Sequence, residues 1–384
     1  MRNIINIMIS LACLAIFWAC ETTDKGPVAL SPGTFVLNTP AYVSGIYDLK
    51  NTKTVLLTTS QPDYGFTAAT TYRVQVATKS SFTDFVTLPT SFTTAKMEVS
   101  ATEMAVALVG LLGVTDEANF PTDPFPVYIR LSAELSDGSH QVLSNIIQLP
   151  KVKGYFALDP MVMPENMYLI GNVAGNWDWA ASTSMVHVYG TPGKFWCVQY
   201  LGQTGDKKNA EIKFNTARAW NGGEFGISAI IDDASKTLAG VSDAGGNIGI
   251  GKPGWYVVVV VTEISGRNYI YHVQFLPPNV YLFGPAAGGK WGASDAQLFK
   301  VPDISLGADA DFVSPAFTGN ALGDSDGGVR ACVTLAGQEW WHTEFMVFNK
   351  VLIYRGAGGD QARVPGSVGQ KLYINFTKGT GKIE

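Results

Sequence analysis

Apolar residues come along this chain in short runs rich in Val, Ile, Tyr, Phe and Thr, punctuated by Gly, Pro, Asp and Ser. Some runs alternate. In Tyr72-Arg73-Val74-Gln75-Val76 every second residue is apolar, the pattern of a strand with one face buried and one wet. Val257 to Val261 is unbroken valine. Such a run is too β-branched for an ordinary helix and too short to span a bilayer, so it predicts a central strand buried on both faces. The same reading predicts strands at Phe35 to Leu37, Thr54 to Thr59, Tyr72 to Ala77, Val127 to Ala133 and Asn145 to Leu149. Further strands follow at Met167 to Ile170, Phe195 to Leu201, Ala210 to Asn215, Trp255 to Thr262 and Asn268 to Phe275, then at Val280 to Phe283, Val329 to Leu335, Glu344 to Phe348 and Lys371 to Phe376. One segment has helical grammar: Ser100 and Glu103 have capping-box spacing ahead of Met104 to Leu112, and Gly113 supplies the stop.

Two stretches repeat. MYLIGNVAGNWDW begins at Met167 and VYLFGPAAGGKW at Val280, each an apolar run, a Gly and a small-residue loop ending in Trp. The spacing suggests two tandem modules of ordinary domain size, each with its own core. With Lys151 to Pro164 and Pro277-Pro278 as boundaries, the chain divides into a segment 1–20, a linker 21–32, a first domain 33–154, a module 165–276 and a module 279–384. Frequent turns from 41 Gly and 19 Pro, with 46% hydrophobic residues, indicate an all-β protein whose first domain has sandwich-like patterning.

At the N-terminus, Arg2, an apolar stretch from Ile4 to Phe17, and Ala19-Cys20 before the polar Glu21 to Lys25 read as an export signal. The Cys at its end looks like a bacterial lipoprotein cleavage site, with Cys20 carrying acyl chains that tether the protein to a membrane without spanning it. A plain secretory signal with an incidental Cys is the alternative. The net charge of −5 and 15% charged residues provide no basic stripe of the kind nucleic acid would require, which makes polyanions poor candidates as partners. Aligning Phe214-Asn215 with Phe348-Asn349 places Cys197 and Cys332 on equivalent strands of the two modules, as buried free thiols.

Several motifs are decoys. Gly249, Gly251 and Gly254 satisfy a phosphate-loop pattern, but a strand follows them, so no helix N-terminus forms and no nucleotide cofactor is implied. Asp324, Asp326 and Gly327 resemble a calcium loop, yet Leu335 stands where the bidentate Glu belongs. His140, His187, His272 and His342 lack metal-ligand spacing. A glycosidase would have to use Glu211, Glu224, Asp178 or Glu344, and Glu211 pairs more simply with Lys213 on the same strand face.

The remaining chemistry is aromatic. Sugars pack C–H faces on indole or phenol rings and offer hydroxyls to amide or cationic donors at the rim. The first module supplies Trp177 and Trp179 in one loop, and Lys213, Asn215, Arg218 and Trp220 where EIKFNTARAW leaves its strand. The second supplies Trp291, then Asn349, Lys350, Tyr354 and Arg355. The Phe214–Phe348 alignment sets Trp220 opposite Tyr354 and replaces Lys213 by Val347, leaving Lys350 or Arg355 as the second cation. An adhesive surface protein, binding protein partners through its exposed aromatics, is the competing class.

The chain resembles the SusE/SusF-like outer-membrane lipoproteins of Bacteroidetes polysaccharide-utilisation systems. The likeness rests on the strand at Tyr72 to Val76, on Arg130 and Ser144-Asn145-Ile146, on MYLIGNVAGNW with EIKFNTARAW, and on VYLFGPAAGGKW with FMVFNKVLIYRG. It implies an all-β fold with an N-terminal immunoglobulin-like β-sandwich followed by two tandem β-sandwich carbohydrate-binding-like modules, in a lipid-anchored, surface-exposed, non-catalytic protein that binds starch or another polysaccharide through those modules. It also implies work beside a porin-like transporter and its partner binding lipoprotein.

Overall fold

The computed structural model describes residues 29–202, 209–323, 326–356, 358–359 and 361–384. The export signal, Cys20 and Asp324 lie outside them. Packing divides the chain at Pro160, with a second unit at Met161–Glu384.

In the first unit the strands are β1 (Tyr47–Asp48), β2 (Thr54–Thr58), β3 (Thr70–Ala77), β4 (Val86–Phe92), β5 (Lys96–Ser100), β6 (Phe125–Leu135), β7 (Val142–Leu143) and β8 (Ile147–Lys153). They form one sheet in the order β1-β8-β6-β3-β4, with β7 also on β6, and a separate β2-β5 pair. Alternation works as read for Tyr72, Val74 and Val76, which enter the core, while Arg73 stays wet and pairs with Glu134. Gln75 departs from it: its amide oxygen accepts from Arg130 Nε at 2.7 Å and its amide nitrogen donates to Thr87, so a polar group is buried with its bonds made. Phe35 to Leu37 is not a ladder strand. Val36 N–H donates to Ser60 Oγ and Leu37 N–H to Asn145 Oδ1, so side chains capture the backbone bonds a sheet would use.

Helix α1 (Ala101–Leu112) starts where Ser100 Oγ accepts from Glu103 N–H and stops at Gly113, whose φ of 64° closes the last turn. The capping box is only half formed, because the Glu103 carboxylate turns outward to accept from Thr90.

The second unit contains β9 (Tyr168–Gly171), β10 (Thr183–Ser184), β11 (Val186–His187), β12 (Lys194–Leu201), β13 (Ala210–Asn215), β14 (Ile230–Ile231), helix α2 (Asp233–Ala239), β15 (Val241–Ala244), β16 (Asn247–Ile250), β17 (Gly254–Ser265) and β18 (Asn268–Leu276). The second repeat continues with β19 (Val280–Phe283), β20 (Phe312–Val313), β21 (Arg330–Val333), β22 (Glu344–Phe348), β23 (Val351–Tyr354), β24 (Leu372–Asn375) and β25 (Thr380–Ile383).

The first repeat is two five-stranded sheets, β10-β9-β13-β16-β15 and β11-β12-β17-β18-β14, and the second is one seven-stranded sheet, β19-β21-β22-β23-β25-β24-β20. Leu169, Ile212, Phe214 and Ile248 from one sheet of the first repeat meet Phe195, Val258, Val260 and Phe275 from the other. Trp196, Val198, Trp255, Val257 and Val259, on the opposite face of β12 and β17, join Val280, Leu282, Ala331, Phe345 and Ile374 of the second repeat in one continuous cluster. The valine run is therefore buried on both faces, with alternate side chains entering different cores. This corrects the expectation that each module has a separate core. The second repeat's sheet finds its apolar cover on the first repeat, because leaving two Trp and three Val of the first exposed would forgo about 1.5–3 kcal/mol for each large side chain. Hydrogen bonds reinforce the contact: Tyr189 N–H to His342 O at 2.9 Å, Thr191 Oγ1 to Gln338 Oε1 at 3.1 Å and Tyr200 Oη to Ile304 O at 3.0 Å.

Strand pairing also corrects the alignment of the repeats. β9 pairs with β13 and β19 pairs with β21, so β21 stands where β13 does. Cys197, on β12, and Cys332, on β21, are therefore on non-equivalent strands. Both are free and buried.

Trp196→Ala should lower the unfolding free energy of the full chain by about 3–5 kcal/mol in urea, because it opens a cavity between the repeats. A loss below about 1 kcal/mol would contradict the shared core. Burial raises the Cys197 thiol from an ordinary value near 9 up to about 12, and burial and Glu344 raise Cys332 as well. Both thiols favour folding below the pKa of the unfolded thiol, and that contribution disappears as pH rises above it. In a soluble form beginning after Cys20, neither thiol should react with a disulfide reagent at pH 8 until urea is added, and stability should fall above about pH 9. Rapid labelling of the native protein would show the burial to be wrong.

Candidate functional site

In the first repeat the site starts at the end of β9. Gly171 is required there because a Cβ would come within 2.1 Å of the Glu211 carbonyl oxygen on β13. The buried Asn172 side chain then ties the loop to the neighbouring strand, donating to Asn209 O and accepting from Glu211 N–H. Asn176 and Trp177 take φ of 49° and 65°, a tight left-handed turn that brings Trp177 forward. Asp178 accepts from Ala180 N–H and caps the short turn carrying Trp179.

The second loop leaves β13. Asn215, 1% exposed, donates to Ala219 O and Asn221 Oδ1, and Glu224 Oε1 accepts from the N–H groups of Asn221 and Gly222. The result holds Trp220 outward at 57% exposure. Its ring lies 6.4 Å from Trp177 at a tilt of 32°, and the buried Trp179 meets it edge-on at 5.2 Å. The structure thus brings Trp177, Trp179 and Trp220 together, with Trp179 as the support beneath. Asn215 builds the loop. Arg218 donates to Ser184 Oγ and lies over the Tyr168 ring at 4.8 Å. Lys213 is half-buried at the position paired with Ile170. The expected Glu211–Lys213 ion pair does not form among the described residues; Glu211 instead accepts from Asn247.

In the second repeat Gly284, at φ 76°, makes the corresponding turn, and the Trp291 ring lies over it. Trp291 is 44% exposed, with Trp340 5.0 Å away at 41°. The Arg330 guanidinium carbon lies 5.7 Å from the Trp291 ring and 5.3 Å from the Trp340 ring. Its Nε donates to Gly327 O and its Nη1 to Glu344 Oε2 at 2.5 Å. The fully buried Glu344 also accepts from Arg355 at 2.7 Å, so one carboxylate holds two cations. Such burial is tolerable only because both oxygens are paired.

The register decides which cation belongs to this site. Lys213 stands opposite Ile170, the third residue of β9, and Arg330 stands opposite Phe283 on β19. The counterpart of Lys213 is therefore Arg330, not Val347. Tyr354, expected opposite Trp220, instead packs its ring against Trp196 and Phe345 in the shared core. Asn349 and Lys350 form the exposed turn between β22 and β23, at φ 50° and 66°. Arg355 lies over Tyr189 and Trp341, at the contact between repeats. None of these four joins Trp291 in a ring or ion contact.

Sequence reasoning missed Arg330 and Trp340 as site residues. The Phe-Asn anchor misaligned the strands, and Trp340 arrives from a loop far along the chain. The register of RACV beside VYLF was the available signal.

Groups considered for other chemistry have structural partners. Glu211, Glu224, Asp178 and Glu344 are bonded as described above. Asp326 accepts from Leu322 and Gly328 N–H, holding a loop. His187, His272 and His342 bond to Glu165 O, Glu263 and Gln338, and no metal-binding group of His, Cys, Asp and Glu occurs among the described residues. Gly251 lies in the turn between β16 and β17, as expected of a decoy.

A family model described as SusF/SusE starch specific CBMs matches residues 166–271 and 279–382, and one described as SusE outer membrane protein matches residues 23–131. The chain is 41% identical over 231 residues to the outer membrane protein SusF of Bacteroides thetaiotaomicron, an alignment covering 58% of this chain and 44% of that protein. It thus spans less than half the length of that relative. The crystal structure of SusF from the same organism shares the fold, with a TM-score of 0.50 and 22% identity over 91% of this chain and 99% of that one. No helix among the described residues is long and apolar enough to cross a membrane. Because a single family model covers both repeats and more than half of the residues, the chain belongs to the SusF/SusE family.

Proposed function

We propose that this protein is a non-catalytic starch-binding lipoprotein of the outer membrane, tethered through Cys20, that captures glycan at the cell surface. The observation carrying this reading is the Trp291–Trp340 pair with Arg330 beside it, and the related Trp177–Trp220 pair at the same strand position of the first repeat. Tilted indoles 5.0 and 6.4 Å apart fit the curved apolar side of a helical α-glucan better than a flat sugar sheet. Arg330 is held by Glu344, so its charge is oriented before ligand arrives and little side-chain entropy is lost on binding. Lys213 would serve the first platform as a looser donor.

The function needs no acid–base pair. The four carboxylates considered for one have structural partners: Asp178 and Glu224 cap loops, Glu344 holds two arginines and Glu211 accepts from Asn247. Two modest sites on one polypeptide gain retention on a long chain through effective concentration. Partnership with a porin-like transporter and its binding lipoprotein is part of the same proposal.

Trp291→Ala should weaken amylopectin binding in affinity gels about tenfold at the second site, or ~1.4 kcal/mol. Trp220→Ala should do the same at the first, and the double variant should lose retention altogether. Tyr354→Phe should bind as the parent does. Release of reducing sugar would sink the non-catalytic reading, and retardation unchanged in the double variant would sink the platforms. Arg330→Lys should bind more weakly than the parent, because an ammonium cannot serve Glu344, Gly327 and a sugar in one plane.

A further inference from the structure

We infer that the first repeat carries a second glycan subsite, a groove continuing from Trp220 that takes the next sugars of the same α-glucan chain. This rests on the starch-binding reading above. The groove has a volume of about 690 Å³ and lies between the turn following Trp220 and the β17–β18 hairpin. Gly222 and Gly223 form its lip. A Cβ at Gly222 would meet nothing within 4 Å, and its φ is 83°, so no side chain rises at this point of the lip. Only Asn221 separates the exposed Trp220 from that lip.

The walls have the chemistry of a sugar site. Phe214, Phe225 and Tyr271 stack in series, at 5.4 Å and 19° and then 3.7 Å and 4°, so Tyr271 is braced from the core. Tyr269 stands 6.0 Å away, fixed through its hydroxyl to Val162 O at 2.6 Å. Ile230, 52% exposed, adds apolar surface to the same groove. Between these surfaces are the hydroxyls of Ser228 and Tyr271 and the amide of Asn268, for which no hydrogen bond to a described residue is made. The Glu224 carboxylate, also on the wall, is turned into its own loop by backbone amides, so it adds little repulsion. Arg267 also lines the groove and has an interaction partner of its own; rigid rings with uncommitted hydroxyl and amide groups suit a polyol more than a hydrophobic peptide. Burial pushes the Tyr271 hydroxyl up to about 12, so it remains a neutral donor and acceptor at physiological pH.

The test uses the full chain with Trp291→Ala, so that the first repeat alone reports, titrated calorimetrically with maltotriose and maltoheptaose. Affinity should rise about tenfold with chain length. Ser228→Trp, which fills the groove from an exposed position, should abolish that rise and leave maltotriose binding unchanged. Asn268→Ala should reduce it in part. Trp220→Ala should lose both sugars. The inference is overturned if Ser228→Trp and Asn268→Ala, with melting temperatures unchanged, keep the full length dependence, or if the parent binds the two sugars equally. Binding of neither sugar by the parent overturns it too, and places the failure in the starch-binding reading of this repeat.

Discussion

The two-sided burial of the β12–β17 sheet is the constraint from which the second unit follows. Val258 and Val260 enter the first repeat's core, while Val257 and Val259, with Trp196 and Trp255, lie against the second repeat. A sheet so apolar on both faces cannot stand at a surface, and the seven-stranded sheet beside it needs a partner for its own inner face. Each solves the other's problem. The repeats are therefore joined by core packing of the kind found inside a single domain, rather than by a loose linker.

That packing leaves the opposite sheet faces for function. In β19, β21 and β22 the residues alternate with those of the core: Leu282, Ala331 and Phe345 point inward, and Phe283, Arg330 and Glu344 lie on the other side. Arg330 can lie under Trp291 and Trp340 because Glu344, one strand over, neutralises it. The same glutamate reaches Arg355, whose guanidinium rests on Tyr189 of the first repeat. A line of charge thus runs from the second platform to the contact between repeats. The first platform has a simpler base, with Trp179 packed beneath Trp220 and loops tied by Asn172, Asn215 and Glu224.

The loops that carry the tryptophans are short and closed by their own side chains. Asx-type contacts at Asp178 and Asn215, and positive φ at Trp177 and Gly284, fix ring positions without help from ligand. Holding an indole outward exposes apolar surface, and the hydrogen bonds within the loops offset the tendency of the ring to fold inward. The rings are therefore held in position by the chain itself.

Much of this was legible in the chain. Period-two alternation located β3, the valine run announced a strand with no wet face, and Ser100 with Gly113 bracketed α1. Gly171 and Gly284 marked where strands give way to tryptophan loops. These are local signals, and local sterics and solvation determine them. The pairing of strands was not legible. Phe348-Asn349 mimics Phe214-Asn215 in letters, yet hydrogen bonding seats β21 beside β19, which makes Arg330 the cation and sends Tyr354 into the core. Register depends on which apolar face finds cover, and that is decided across residues distant in sequence. The sequence by itself determined the strands, the turns and the aromatic supply; only the tertiary structure decided which rings and which charge share a surface, because burial of one sheet against another chooses the face each side chain must take.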